Sequence, residues 1–349
     1  MPSDMKPITA SARRLADDLQ PVRSVALRTI HDVSQHQVPG NGIATQPPKQ
    51  QEPGKQQELA VNLTVALVAI SNDTPMVMTT SRAGMDALPS ARFHWDGSTS
   101  LETTLRDGVS EQTGSELGHA EQLQTFAERT NGLAVGYLAL TRPANGTMAD
   151  AAWHDWYEYL PWEDWRNGRP AVLPSIIEPG LRAWAERSPP CANDSSRSLA
   201  RSDLIRLAFG FDRVPWNEER VIDRFNILSD AGMLGAAILP GRAMHFEHLR
   251  VLANAIGRLR TRLKVRPLVF ELMDEEFTLF ELQKTVEAVL GPHLHKQNFR
   301  RLVESAGLVE VTGEVRSKTG GRPAKLFRFR REVLMERPAP GFRVHAQRM

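Results

Sequence analysis

The stretch FTLFELQKTVEAVLGPHLHKQNFRRLVESAGLVEVTGEVRSKTGGRPAKLFRFRR, residues 277–331, decides the fold of the C-terminal part of the chain. Thr278 is an N-cap with Glu281 three residues on, a capping box for a helix over Leu279–Leu290 that Gly291-Pro292 ends. After a short turn, Lys296–Ala306 carries a second helix. Its Phe299, Leu302 and Val303 face inward, Lys296, Gln297, Arg300 and Arg301 face out, and Gly307 stops it. Leu308–Thr312 and Lys325–Phe329 alternate as strands about a polar loop over 313–321, which makes a hairpin with a basic tip. Two helices and a hairpin in this order are a winged helix-turn-helix.

Charge concentrates in the same stretch. Residues 293–331 hold ten Lys or Arg against three Glu, a net of +7 on a chain whose formal charge is only +2. A second helix of this kind can enter the major groove of DNA while the hairpin meets phosphates or the minor groove. The candidate DNA-contacting residues are Lys296, Gln297, Asn298, Arg300, Arg301, Arg316, Lys318, Arg322 and Lys325. Gly320-Gly321-Arg322-Pro323 sets an arginine on a tip with little side-chain bulk, suited to a narrow minor groove. Phosphate contacts release counterions, so binding should weaken steeply with salt. The bland alternative is a solvated basic face on a winged helix that contacts protein.

Working outward, 349 residues suffice for two domains, and 41% hydrophobic with 24% charged residues is ordinary for a soluble protein. No apolar run reaches the ~18 residues that a membrane span needs. A single cysteine, Cys191, excludes an intramolecular disulfide framework and a cysteine-rich zinc site, and the expected compartment is the cytoplasm. Residues 1–58 include QPPKQQEPGKQQ at 46–57, a composition that cannot offset its ordering entropy, so they read as a disordered extension or a start placed too early. Asp4, Asp17 and Asp18 argue against a transit peptide.

Leu59–Ser71 is an unbroken apolar run that predicts a central strand, with a turn at Asn72-Asp73-Thr74-Pro75 and a hairpin partner over Met76–Thr80. Leu101–Thr113 has helical spacing closed by Gly114, and Leu133–Leu140 is another strand. Strand, strand, helix, strand implies an α+β sandwich rather than a βαβ repeat. Residues 151–187 are rich in tryptophan, and Ser188–Arg197 is a polar connection. Helical patterns follow at 199–209 and 217–232. A longer helix over Phe246–Lys264 puts Leu249, Leu252, Ile256, Leu259 and Leu263 on one face and Arg250, Arg258, Arg260 and Arg262 elsewhere. It joins domains, pairs with its twin in a dimer, or packs as an ordinary amphipathic helix.

On Glu247-His248-Leu249-Arg250, Leu259-Arg260, Arg266-Pro267-Leu268-Val269-Phe270-Glu271-Leu272, Phe277 to Gln283, Asn298-Phe299-Arg300-Arg301 and Gly321-Arg322-Pro323-Ala324, the segment 246–331 resembles the Nudix-related transcriptional regulators of NAD metabolism. The run Trp153–Pro170 more closely resembles the alphaproteobacterial branch that controls de novo NAD synthesis. The resemblance implies a degenerate Nudix-like α/β/α sandwich followed by the winged helix-turn-helix, working as a homodimeric repressor on a roughly palindromic operator. The implied effector is a nucleotide such as NAD, ADP-ribose or ATP, with no required cofactor. The implied division is an extension at 1–58, an effector domain at 59–245, a linker or dimer helix at 246–266, the winged helix at 267–335 and a tail at 336–349.

The Nudix signature, Gly-x5-Glu-x7-Arg-Glu-U-x-Glu-Glu-x-Gly-U with U a bulky aliphatic, holds metals on its helical glutamates. In the register of Glu111-Gln112-Thr113-Gly114, only Val109, Glu111 and Gly114 fit. Asp107 takes the arginine slot, Gly108 the first glutamate, Gln112 the last and Ser115 the final aliphatic, while Phe93 and Thr99 replace the upstream glycine and glutamate. Hence no catalytic and no metal-ligating residue is assigned. By the same resemblance Ala120–Phe126 lines a nucleotide cleft, and the candidate effector-binding residues are Glu111, Gln122, Trp162, Arg166 and Arg169. Aromatics of the Trp-rich run can stack on a base and arginines can meet a pyrophosphate, or they cap a core or a dimer seam. Two other readings stay open: an active pyrophosphohydrolase with metals on Glu102, Asp107 and Glu116, and a winged-helix adaptor that binds protein.

Overall fold

Strand β1, Ala60–Ser71, is buried from Leu63 to Ala69 without alternation, because both faces of it are covered. Leu63, Val65 and Leu67 pack on one side with Leu105 and Val109 of α1 (Leu101–Thr113). Ala66 and Val68 pack on the other with Val251, Leu252 and Ile256 of α5 (Phe246–Val265). The sheet is thus the middle layer of an α/β/α sandwich. This computed structural model describes residues 60–128, 132–142, 148, 150–187, 200–235, 238–317 and 323–335. The expected 1–58 extension, the 336–349 tail, Cys191, Lys318 and Arg322 lie outside the described residues.

Asn72 and Asp73, with φ of 48° and 59°, form the two-residue turn that returns the chain into β2 (Thr74–Arg82) in antiparallel register. β6 (Gly132–Leu140) lies parallel to β1 on its other side, and β5 (Ala120–Glu128) pairs with β6 at the edge. Three short strands were not expected from the sequence: β3 (Met85–Ala87), β4 (Ser90–Phe93) and β7 (Ala151–Asp155), which pair with β2, β1 and β2. The segment expected only to line a cleft, Ala120–Phe126, is itself the strand β5. α1 starts where Ser100 accepts the Thr103 N–H and stops where Gly114 turns left-handed at φ 70°. Helices α2 (Glu178–Glu186), α3 (Arg201–Phe209) and α4 (Val221–Asp230) cover the side shared with α5.

α5 corrects one expectation. Its Arg260, expected off the apolar face, is completely buried. Glu163, from a 3-10 turn in the Trp-rich run, lies between two arginines, accepting from Arg224 at 2.5 and 2.8 Å and from Arg260 at 2.7 Å, with all three side chains fully buried. Arg224 lies 3.8 Å over the Trp216 ring and donates to the carbonyls of Ala208 and Asn217. Arg260 donates to the carbonyls of Glu218, Glu163 and Val289. Satisfying nearly every N–H in this way is what makes two cations on one carboxylate tolerable in a dry core. Arg258 and Arg262 instead reach Glu121 on β5 at 3.7 and 2.7 Å.

The winged helix follows as α6 (Leu279–Leu290), α7 (Lys296–Ala306), β8 (Val309–Arg316) and β9 (Ala324–Phe329). Thr278 and Glu281 form the reciprocal capping box. Phe277 and Phe327 exchange backbone hydrogen bonds of 2.9 and 2.8 Å, which sews the start of α6 to the hairpin. Nothing separates this module from the sandwich, and the described residues pack as one compact unit. No described helix is long and apolar enough to cross a membrane.

Candidate nucleic-acid interface and ligand cavity

α7 presents its polar face as its spacing requires. Phe299 and Val303 are buried, while Lys296, Gln297, Asn298, Arg300 and Arg301 are exposed. The turn that aims α7 is fixed by Glu287 of α6, a buried carboxylate that accepts from the Leu294 N–H (2.9 Å), Gln283 (2.8 Å) and Lys284 (3.0 Å). Burial works to raise the Glu287 pKa, but these donors outweigh it and hold the carboxyl below its usual range. Lys296 and Arg300 of α7 and Lys325 of β9 line one groove of about 620 Å³ together with Thr278 and Phe280. The structure therefore brings the reading helix and the hairpin to a common basic surface.

The basic residues of this module have different occupations. Lys296, Arg301 and Lys325 are exposed and have no ion pair among the described residues. Arg300 pairs with Glu304 one turn on at 2.9 Å, both ends exposed. Arg316, expected among the DNA contacts, instead clamps the hairpin to α6, donating to Glu281 at 2.9 Å and to the Glu276 carbonyl at 3.1 Å.

The other site lies on the sandwich. A cavity of about 990 Å³ is lined by Asn62 and Thr64 of β1, Arg82 at the end of β2, Ser90 and Arg92 of β4, Glu111 and Gln112 of α1, Asp150, and His248 of α5. His248 accepts the Leu88 backbone N–H on Nδ1 at 2.8 Å, which leaves its proton on Nε2. Burial, His245 and Arg82 push the imidazole down from 6.5 to about 4, so it is a neutral donor near pH 7.

Of the expected effector residues only Glu111 lines this cavity. Gln122 pairs with Tyr137 on the edge strand β5. Trp162 is buried in the core, away from this cavity. Arg166 is already held by Asp155 and Asp164, each at 2.8 Å, and lies 4.6 Å over the Tyr157 ring, while Arg169 pairs with Glu178 at 3.2 Å. The Trp-rich run thus builds core. Arg82, Arg92 and His248 were missed because they come from three separate elements, with no local motif to join them.

The positions that the expected signature register assigns to metal-binding glutamates serve packing here. A Cβ at Gly108 would stand 2.6 Å from the Cβ of Ala91, so no side chain fits there while β4 lies against α1. Gln112 uses its amide as a backbone mimic, donating to the Ser90 carbonyl at 2.6 Å and accepting the Ser90 N–H at 3.2 Å. Glu102 is paired with Arg106 at 2.8 Å, and no three His, Cys, Asp or Glu among the described residues converge as metal ligands. These residues do not fit a catalytic metal.

Residues 269–329 match the family model of the NrtR DNA-binding winged helix domain, so the module built by α6, α7, β8 and β9 is similar to that domain. Over 85 residues the chain is 42% identical to the ADPR responsive transcriptional repressor NtrR of Acinetobacter baylyi, a match of 24% of this chain and 33% of that protein. The chain thus spans about a third of the length of the curated relative it matches. The crystal structure of Shewanella oneidensis NrtR complexed with a 27mer DNA aligns with 77% of this chain and 93% of that one, at 19% identity and a TM-score of 0.47. The NUDIX domain of the same protein complexed with ADP ribose aligns with 32% of this chain and 82% of that one, at 19% identity and a TM-score of 0.28.

Proposed function

We propose that this chain is a DNA-binding transcriptional repressor of NAD metabolism whose affinity for its operator responds to a nucleotide, ADP-ribose in the first instance, held in the sandwich without being hydrolysed. The observation that carries the reading is the exposed basic surface of α7 and β9 on a winged helix similar to the NrtR domain. Lys296, Arg301 and Lys325 meet phosphates and base edges, with Gln297 and Asn298 beside them. Arg82, Arg92 and His248 supply the cavity with donors for phosphate and ribose oxygens. A homodimer would set two copies of α7 about one DNA turn apart and so read a roughly palindromic site. Hydrolysis is not expected in this reading, because Gly108 and Gln112 leave Glu111 as the one glutamate at positions 108, 111 and 112.

The test uses the full chain and duplexes selected by it from genomic fragments. The triple variant K296A/R301A/K325A should lose at least about tenfold in affinity at fixed salt and show a shallower salt dependence. Unchanged affinity refutes the reader assignment. ADP-ribose should shift the wild-type affinity, since a ligand that distinguishes two states must move the equilibrium between them. Magnesium-dependent release of phosphate or AMP from ADP-ribose would instead establish the enzyme.

A further inference from the structure

The cavity and the reader share one helix. α5 begins at the cavity wall, where His245 donates its backbone N–H to the Asp86 carbonyl at 3.0 Å and its ring meets the Arg82 carbonyl at 3.1 Å. His248, in the first turn, points its ring at the cavity with Nδ1 occupied by the Leu88 N–H. Twelve residues on, about 18 Å along the axis, Arg260 donates to the Val289 carbonyl at 2.9 Å and to the Tyr157 hydroxyl at 3.2 Å. Tyr157 in turn donates to the Ala288 carbonyl at 2.9 Å. Ala288 and Val289 belong to the last turn of α6, the helix whose Glu287 fixes the turn into α7.

We propose that His248 contacts the effector, donating from Nε2 to a phosphate or ribose oxygen, and that α5 carries the resulting displacement of its first turn to the last turn of α6. This rests on the reading of the cavity as the effector site. α5 suits the task because Val251, Leu252, Ala255, Ile256, Leu259 and Leu263 are all buried, so a close-packed rod shifts as a body rather than bending. Arg82 lies on the same wall, bonded through its carbonyl to His245, so a ligand drawn to both side chains pulls on one turn of helix.

The experiment titrates the full chain with ADP-ribose by calorimetry and follows amide exchange over residues 279–291 with and without it. H248A should weaken ADP-ribose binding by about tenfold or more, the loss of a hydrogen bond to a charged group. H248Q, which offers an acceptor to the Leu88 N–H, replaces it if H248A fails to fold. Y157F should bind ADP-ribose like the wild type yet show a smaller ligand-induced change over 279–291, since Arg260 keeps its own bond to the Val289 carbonyl. If R82A weakens binding and H248A does not, the role of His248 is refuted while the cavity reading stands. If saturating ADP-ribose leaves exchange over 279–291 unchanged in the wild type, transmission through α5 is refuted. If the wild type does not bind ADP-ribose, or R82A and H248A both bind it unchanged, the cavity reading itself falls.

Discussion

Arg260 and Arg301 are the same residue type, each on a helix with apolar neighbours at helical spacing, and they meet opposite fates. Arg260 is fully buried, with Glu163, three carbonyls and a tyrosine hydroxyl taking its donors. Arg301 is exposed, with no ion pair among the described residues. A cation enclosed by partners fixes the relation of one element to another. A cation left in water is available to something outside the chain. The hub of Glu163, Arg224 and Arg260 and the surface of Lys296, Arg301 and Lys325 therefore separate architecture from recognition by side chains that composition cannot tell apart.

Stability measurements sharpen the contrast. E163Q removes the only acid between two buried guanidinium groups, and it should destabilise the protein by about 3–5 kcal/mol in urea unfolding, the usual result of orphaning a buried charge. A loss below about 1 kcal/mol would show that water reaches the hub, and the distinction would fail. His248 is an intermediate case, enclosed but given only one backbone donor. It stays neutral down to about 4, whereas an unfolded chain takes up the proton near 6.5. Its contribution is complete above pH 6.5 and is lost as the pH falls towards 4, on the order of 3 kcal/mol. Urea midpoints of wild type and H248Q, compared at pH 7 and 4.5, should show the wild type losing more. The smallest effect belongs to K296A/R301A/K325A, which should change stability by less than about 0.5 kcal/mol while impairing DNA binding.

The boundaries of α1, α6 and α7 were legible because helix ends are encoded locally: the Thr278–Glu281 box, and the glycines at 114, 291 and 307. β1 was legible because a strand covered on both faces needs no alternation. The edge strands β4 and β7 were not, since they are short and exist only by pairing with β1 and β2. Arg260 stands 97 residues from Glu163, and between Arg258 and Arg262 nothing local marks it as the one that turns inward. The cavity was invisible for the same reason. The tryptophans looked like a ligand platform, but Trp162 and its neighbours had a core to fill first.

The contact between Gly108 and Ala91 limits what this face of α1 can be made to carry. With β4 held on α1 at a distance that excludes a side chain at 108, and Gln112 committed to the Ser90 backbone, a set of carboxylates cannot be installed on this face by single substitutions. A glutamate at 108 would drive the strand off the helix unless position 91 were reduced to glycine as well. The close packing thus couples positions 91 and 108, so that any redesign of this face has to change both together.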